Sequence, residues 1–281
     1  MSYIDSEVLV STDWLAENIG SSNMLVIDAS LPRVGVVEDT RKNYRAAHIP
    51  NATFFDIDEI ADPEATLPHM MPSESLFASK VGALGISNNS RVIVYDQHGI
   101  YSAPRAWWMF RTFGHDNVAV LDGGLPKWRA EGRDVTNIVP TNTPAQFSAN
   151  LNERLLRLAT QVNRNIASDR EQVVDARGAG RYNGTDPELR PGLRSGHIPK
   201  SLNVPYDNIV KDGSLVDATK LEAAFVDAGV DLSKPITTSC GSGITACILA
   251  LGLYLNGRDD IAVYDGSWTE WGGRQDLPIE K

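Results

Sequence analysis

An α/β fold in two tandem copies, each a mostly parallel sheet flanked by helices, is the architecture this 281-residue chain predicts. Three observations predict it. A set of short motifs occurs twice in the same order. Within each copy, short β-branched runs alternate with stretches of helical length. A polar segment rich in Pro, Thr and Asn, Arg133 to Asn152, lies between the copies.

In the first copy the strands and turns read Val26-Ile-Asp28-Ala, Tyr44-Arg-Ala-Ala-His48-Ile-Pro50, Val92-Ile-Val-Tyr-Asp96 and Val118-Ala-Val-Leu-Asp122-Gly-Gly. The second copy reads Val173-Val-Asp175-Ala-Arg, Leu193-Arg-Ser-Gly-His197-Ile-Pro199, Ile236-Thr-Thr-Ser-Cys240 and Ile261-Ala-Val-Tyr-Asp265-Gly-Ser. From Asp28 to Asp175, His48 to His197, Asp96 to Cys240 and Asp122 to Asp265 the offset stays between 143 and 149 residues. Helices are expected at Ser102–Phe113 and Ala246–Leu255. The boundaries that follow are an N-terminal domain over 1–137, a linker over 138–158 and a C-terminal domain over 159–281.

At 42% apolar composition, each half has enough to build its own core. Two cysteines seven positions apart form no disulfide framework and suit a reducing compartment. No zinc-ligand spacing occurs, so neither a metal nor another cofactor is expected. The start, Met1-Ser-Tyr-Ile-Asp-Ser-Glu, lacks the basic and apolar regions of a signal peptide, and the run Ile244 to Leu255 is too short to span a bilayer. A cytoplasmic protein with no membrane association is expected. A net charge of -10 argues against nucleic acid as a partner, but not against a small anionic substrate held by a few local arginines.

The stretch Ser239-Cys240-Gly241-Ser242-Gly243-Ile244-Thr245-Ala246 carries the chemistry. It follows a strand and opens a helix, so its backbone N–H groups converge where negative charge is favoured, an environment that activates a thiol. Three readings compete: a small buried cysteine, a dinucleotide fingerprint through Gly241, Gly243 and Ala246, and a cysteine phosphatase loop. The second leaves about 35 residues after it, little room for a nucleotide-binding sheet. The third lacks its arginine, because the sixth position after Cys240 is Ala246. The repeat sharpens the choice: the counterpart of Cys240 is Asp96, so one half looks competent and the other retired into support.

The paired His-Ile-Pro segments, the Asp-Ala strands, Ala103-Pro-Arg-Ala-Trp107-Trp108-Met-Phe-Arg and Asp265-Gly-Ser-Trp-Thr-Glu-Trp271 together resemble the two-domain rhodanese family, from about Thr12 to Leu277. Within it, Cys240-Gly-Ser-Gly-Ile-Thr-Ala is similar to the loop of 3-mercaptopyruvate sulfurtransferases, with Ile244 for the usual Val. Thiosulfate sulfurtransferases carry Arg-Lys after the cysteine, two cations suited to a compact dianion; Gly241-Ser242 suits a substrate with a single carboxylate.

The resemblance implies a sulfur relay in which the Cys240 thiolate takes sulfur from 3-mercaptopyruvate and pyruvate leaves. The resulting persulfide is held by loop N–H groups through Gly241, Gly243, Ile244 and Thr245. Arg181 and Arg190 match the arginines that bind the carboxylate and ketone, and Asp58, His69 and Ser242 match a carboxylate–imidazole–hydroxyl relay. A thiol acceptor such as thioredoxin or a low-molecular-weight thiol, or cyanide, then takes the sulfur. Thiosulfate preference, and a non-catalytic sulfur-carrying or redox-sensing module, stand as the alternatives. His48 and His197 read as turn or core residues, Cys247 as buried, the tryptophans as packing, and Arg194 as a solvated loop charge.

Overall fold

The computed structural model describes Tyr3 and residues 6–281; most of the N-terminal segment read as free of a targeting signal lies outside them. The first sheet comprises β1 (Leu9–Val10), β2 (Met24–Asp28), β3 (Ala52–Phe54), β4 (Arg91–Tyr95) and β5 (Val118–Leu121), in the order β1-β5-β4-β2-β3. The second comprises β6 (Leu156–Arg157), β7 (Gln172–Asp175), β8 (Leu202–Asn203), β11 (Ile236–Ser239) and β12 (Ile261–Tyr264), in the order β6-β12-β11-β7-β8. A separate antiparallel hairpin, β9 (Val210–Lys211) with β10 (Ser214–Leu215), interrupts the second. The two sheets have the same topology, and every pairing within them is parallel. The duplication read in the sequence is therefore a duplication of fold.

Helices α1 (Thr12–Asn18), α2 (Thr40–Ala46), α3 (Ile57–Ile60), α4 (Glu74–Ala83), α5 (Ala103–Thr112) and α6 (Gly124–Ala130) flank the first sheet. In the second domain α7 (Ala159–Ser168), α8 (Ala179–Tyr182), α9 (Ala218–Asp227), α10 (Ala246–Leu255) and α11 (Ser267–Gly273) take this part. Strands β4 and β11 sit at the centre of their sheets, as covered parallel strands do. Both threonine hydroxyls of polar β11 find acceptors, Thr237 Oγ1 donating to Glu171 at 2.6 Å and Thr238 Oγ1 to the Ala262 carbonyl at 3.4 Å, while the buried Ser239 Oγ has no partner among the described residues.

The two domains share one continuous core, formed where α5 meets α10. Trp107 and Tyr254 meet edge to face at 5.6 Å between centroids. This explains why α10, Ala-Cys-Ile-Leu-Ala-Leu-Gly-Leu-Tyr-Leu, has no polar face: it lies between its own sheet and the other domain. The connecting segment runs along the first domain. The backbone N–H groups of Ala145, Asn150 and Asn152 donate to Gly82, Phe113 and Thr112, and Phe147 is buried against Phe77. The edge strand Leu156–Arg157 lies inside the 138–158 stretch and pairs with β12.

Both His-Ile-Pro motifs are structural, and the repeat reproduces their contacts. His48 stacks on Tyr44 at 4.1 Å and bonds its carbonyl through Nδ1; His197 does the same with Tyr182 at 3.9 Å.

Candidate active site

Cys240 follows β11 directly, and its loop is pinned from one side by the start of α11. The Cys240 N–H donates to Ser267 Oγ at 3.1 Å, the Cys240 carbonyl accepts from Trp268 N at 2.9 Å, and the Gly241 carbonyl accepts from Thr269 N at 2.8 Å and Thr269 Oγ1 at 2.6 Å. Gly243 adopts φ +77°, and a Cβ there would fall 2.8 Å from the Asp265 carbonyl oxygen, so the turn admits only glycine. The buried Cys247, in the first turn of α10, donates its thiol to the Gly243 carbonyl at 3.2 Å; burial pushes that thiol upward in pKa and keeps it protonated.

What remains is a set of donors without protein acceptors. Among the described residues, none of the N–H groups from Gly241 to Thr245 donates to another protein group. The first domain shows what such a cradle accepts. There Asp96 Oδ2 accepts from the N–H groups of Tyr101, Ser102 and Ala103 at 2.8 to 2.9 Å, and Oδ1 from His98 at 2.9 Å. The first-domain loop is filled by its own carboxylate, whereas the loop after Cys240 leaves its donors open to negative charge.

Two guanidinium groups close over this turn. A Cβ at Gly241 would lie 3.8 Å from Arg190 Nη1 and 3.9 Å from Arg181 Nη1, so both face the residue after the cysteine. Arg181 is on α8 and is steadied from behind by a buried chain of charges. Arg177 pairs with Asp175 at 2.7 Å and Glu188 at 2.6 Å, and Glu188 lies 3.9 Å from Arg181. Burial raises the Glu188 pKa, an effect that Arg177 and Arg181 oppose. Arg177 is fully buried and packs over Trp268 at 4.2 Å, so it is structural, while Arg181 and Arg190 remain free to meet an anion.

The cavity above Cys240 has a volume of about 240 Å³. The second domain lines it with Cys240, Gly241, Ser242, Ile244, Thr245 and the two arginines; the first adds Arg33, Val34 and Tyr101. Burial pushes the Tyr101 phenol up to about 12, so it stays a hydrogen-bond donor at neutral pH. Neither Arg33 nor Tyr101 stood out in the sequence. Tyr101 was accessible to the repeat, since it follows Asp96 by the same five positions that separate Thr245 from Cys240. Arg33 carried no such signal.

Asp58 and His69 do meet: the carboxylate bonds the imidazole Nδ1. Ser242 Oγ, however, accepts from Arg190 Nη2 at 3.2 Å, and among the described residues no hydrogen bond joins it to His69. The link between these groups is a residue the sequence left unassigned. Arg105, fully buried on α5, donates from Nη2 to the His69 carbonyl and from Nη1 to the Gly243 carbonyl at 3.3 Å. Its Nη1 also lies 2.7 Å from Asp265 Oδ1, an ion pair without hydrogen-bond geometry. Asp265 Oδ2 accepts from Met71 N at 2.8 Å. One guanidinium thus separates the His69 backbone, held at φ +62°, from the cysteine loop.

Arg194 corrects its sequence reading. It is no solvated charge: it donates to the carbonyls of Trp271, Gly272, Arg274 and Leu277. The carbonyls at the end of α11 need donors, and a guanidinium supplies several at once.

With this geometry in hand, the comparison with known proteins is direct. The model of the rhodanese-like domain matches residues 11–131 and again residues 158–274. The chain belongs to the tandem rhodanese sulfurtransferases. Among relatives of this sulfurtransferase, the thiosulfate sulfurtransferase of Rattus norvegicus is 48% identical over 271 residues, 94% of this chain and 91% of its own. The 3-mercaptopyruvate sulfurtransferase of the same species is 42% identical over 272 residues, with the same coverage of both chains. The crystal structure of SseA from Escherichia coli, described as a 3-mercaptopyruvate sulfotransferase with the rhodanese fold, superposes with a TM-score of 0.86 at 38% identity and covers 93% of this chain and 98% of its own. Small sulfur donors are the substrates of such enzymes. Both donor names occur among relatives of similar identity, so identity alone does not choose between the two donors.

Proposed function

We propose that this sulfurtransferase moves the sulfur of 3-mercaptopyruvate through a persulfide on Cys240 to a thiol or to cyanide. The observation that carries this reading is the contrast between the two loops: the Asp96 carboxylate saturates its own cradle, whereas Cys240 stands beneath open N–H donors with Arg181 and Arg190 over Gly241. In the first step the Cys240 thiolate attacks the substrate sulfur, the carbon–sulfur bond breaks, and its electron pair leaves on carbon as the enolate of pyruvate. A proton then reaches that carbon. Arg181 and Arg190 hold the carboxylate and the ketone oxygen, where the enolate charge develops. Ser242, bonded to Arg190, is the candidate proton donor on the cysteine loop, and the Asp58–His69 pair, which does not bond it directly, is the candidate reservoir. The second step transfers the outer sulfur to a low-molecular-weight thiol or a thioredoxin-like thiol, and double-displacement kinetics follow. Two buried, unpaired cysteines fit a reducing compartment such as the cytoplasm.

Intact mass after incubation with 3-mercaptopyruvate, with no acceptor present, tests this. The expected result is a gain of about one sulfur, roughly 32 Da, which disappears on adding a thiol and never forms in Cys240→Ser. Absence of the adduct in the wild-type protein would instead favour a sensing or binding module.

A further inference from the structure

The cysteine loop itself provides no cation after Cys240, yet the folded cavity contains three guanidinium groups, because the first domain adds Arg33. Arg33 follows β2 in Leu31-Pro32-Arg33-Val34-Gly35. The base of this segment is tied down: Leu31 N donates to Ser102 Oγ at 3.0 Å, and the Arg33 carbonyl accepts from Val36 N at 3.0 Å. The guanidinium carbon lies 5.8 Å from the centre of the Tyr101 ring. Among the described residues no carboxylate lies within 4.0 Å of the Arg33 guanidinium, and no carboxylate lines the cavity. The other two arginines both face Gly241 and are the pair assigned to the carboxylate and ketone of 3-mercaptopyruvate. The site therefore carries more positive charge than one carboxylate needs.

We propose that Arg33 is a specificity-determining residue: contributed across the domain boundary, it equips the Cys240 site for doubly charged sulfur donors of the thiosulfate class. This rests on the persulfide reading of Cys240. With thiosulfate, the Cys240 thiolate attacks the outer sulfur, the sulfur–sulfur bond breaks, and sulfite leaves with the electron pair and two negative charges. Both the bound donor and the leaving group are dianions, so the cation acts through the whole step. A Coulomb interaction is linear in ligand charge. Removing one cation therefore costs a dianion twice, on a logarithmic scale, what it costs a monoanion.

The test compares wild type, Arg33→Gln and Arg33→Lys in the rate of sulfur loading at low donor concentration, with thiosulfate and with 3-mercaptopyruvate at low salt. For Arg33→Gln the expected loss is about 5- to 10-fold with 3-mercaptopyruvate and about the square of that, 25- to 100-fold, with thiosulfate; added salt should shrink both. Arg33→Lys should keep the ratio between donors within about twofold of wild type, since it keeps the charge. Equal losses for the two donors, no loss, or a Lys variant that behaves like Gln would overturn the proposal. Wild-type protein that loads sulfur from neither donor is a different result, because it overturns the persulfide reading itself.

Discussion

Single residues at matching positions in the two halves have different partners. Asp28 and Asp175 occupy the same strand position, yet Asp175 pairs with Arg177, whereas Asp28 has only neutral donors, Ser30 and Gln97 Nε2 at 3.1 Å. Burial without a cation pushes the Asp28 carboxyl up to about 6, from an ordinary 3.8, and the bonds from Ser30 and Gln97 only partly offset this. Between those values the folded chain holds a proton that the unfolded chain has released. The contribution of this group to stability is thus complete below the ordinary value and is lost as pH rises through 6, amounting to roughly 3 kcal/mol. Asp28→Asn does not titrate. In urea unfolding, wild type should lose stability relative to Asp28→Asn as pH goes from 4 to 7, and parallel curves would refute the assignment.

At the scale of elements, each loop is the N-terminal cap of the helix behind it. Neither Ser102 before α5 nor Thr245 before α10 makes a side-chain capping bond. For α5 the missing acceptor is Asp96, which takes four N–H groups at the positive end of the helix. Asp96→Ala should cost about 3 kcal/mol or more, since several buried donors lose their acceptor, while Asp96→Asn, which keeps one oxygen, should cost less. Equal thermal midpoints for wild type and Asp96→Ala would contradict this. At α10 the same place is held by Cys240. A set of donors that one domain satisfies internally stays open in the other among the described residues.

For the whole molecule the decisive contact is Arg105 with Asp265, a buried ion pair that ties α5 of one domain to the turn after β12 of the other, while the same guanidinium bonds the Gly243 carbonyl of the cysteine loop. Burial acts to lower the Arg105 pKa, but Asp265 and the neighbouring Cys247 together outweigh it and the guanidinium stays ionised. Arg105→Met should cost about 3–5 kcal/mol, because Asp265 is left charged and unpaired in the interior. Adding Asp265→Asn should restore part of the loss. If the unfolding midpoint of Arg105→Met matches that of wild type, the pair is not what binds the domains. Cooperative unfolding of both halves is expected as long as the shared core between α5 and α10 persists.

Much of this was legible in contiguous residues. The motif repeat announced two domains of one fold, β-branched runs marked their strands, and Cys240 with its flanking glycines marked an anion-binding turn, because periodicity and turn chemistry are written within a few neighbouring positions. Arg181 and Arg190 lie on a glycine- and proline-rich segment, and it was the family resemblance that singled them out from Arg194 nearby. The sequence alone did not assign Arg33 to the cavity, Arg105 to the loop, Ser242 to Arg190 instead of His69, or Arg194 to the end of α11. Those contacts join residues that are 52 to 138 positions apart, or in different domains. They exist only because two parallel sheets bring α5 against α10 and turn their loops toward one cleft. Sequence by itself determined the fold of each half and marked Cys240 as the candidate sulfur carrier, since both depend on local geometry. Tertiary structure decided which charges surround that sulfur, since long-range packing sets where a flexible arginine from the other domain comes to rest.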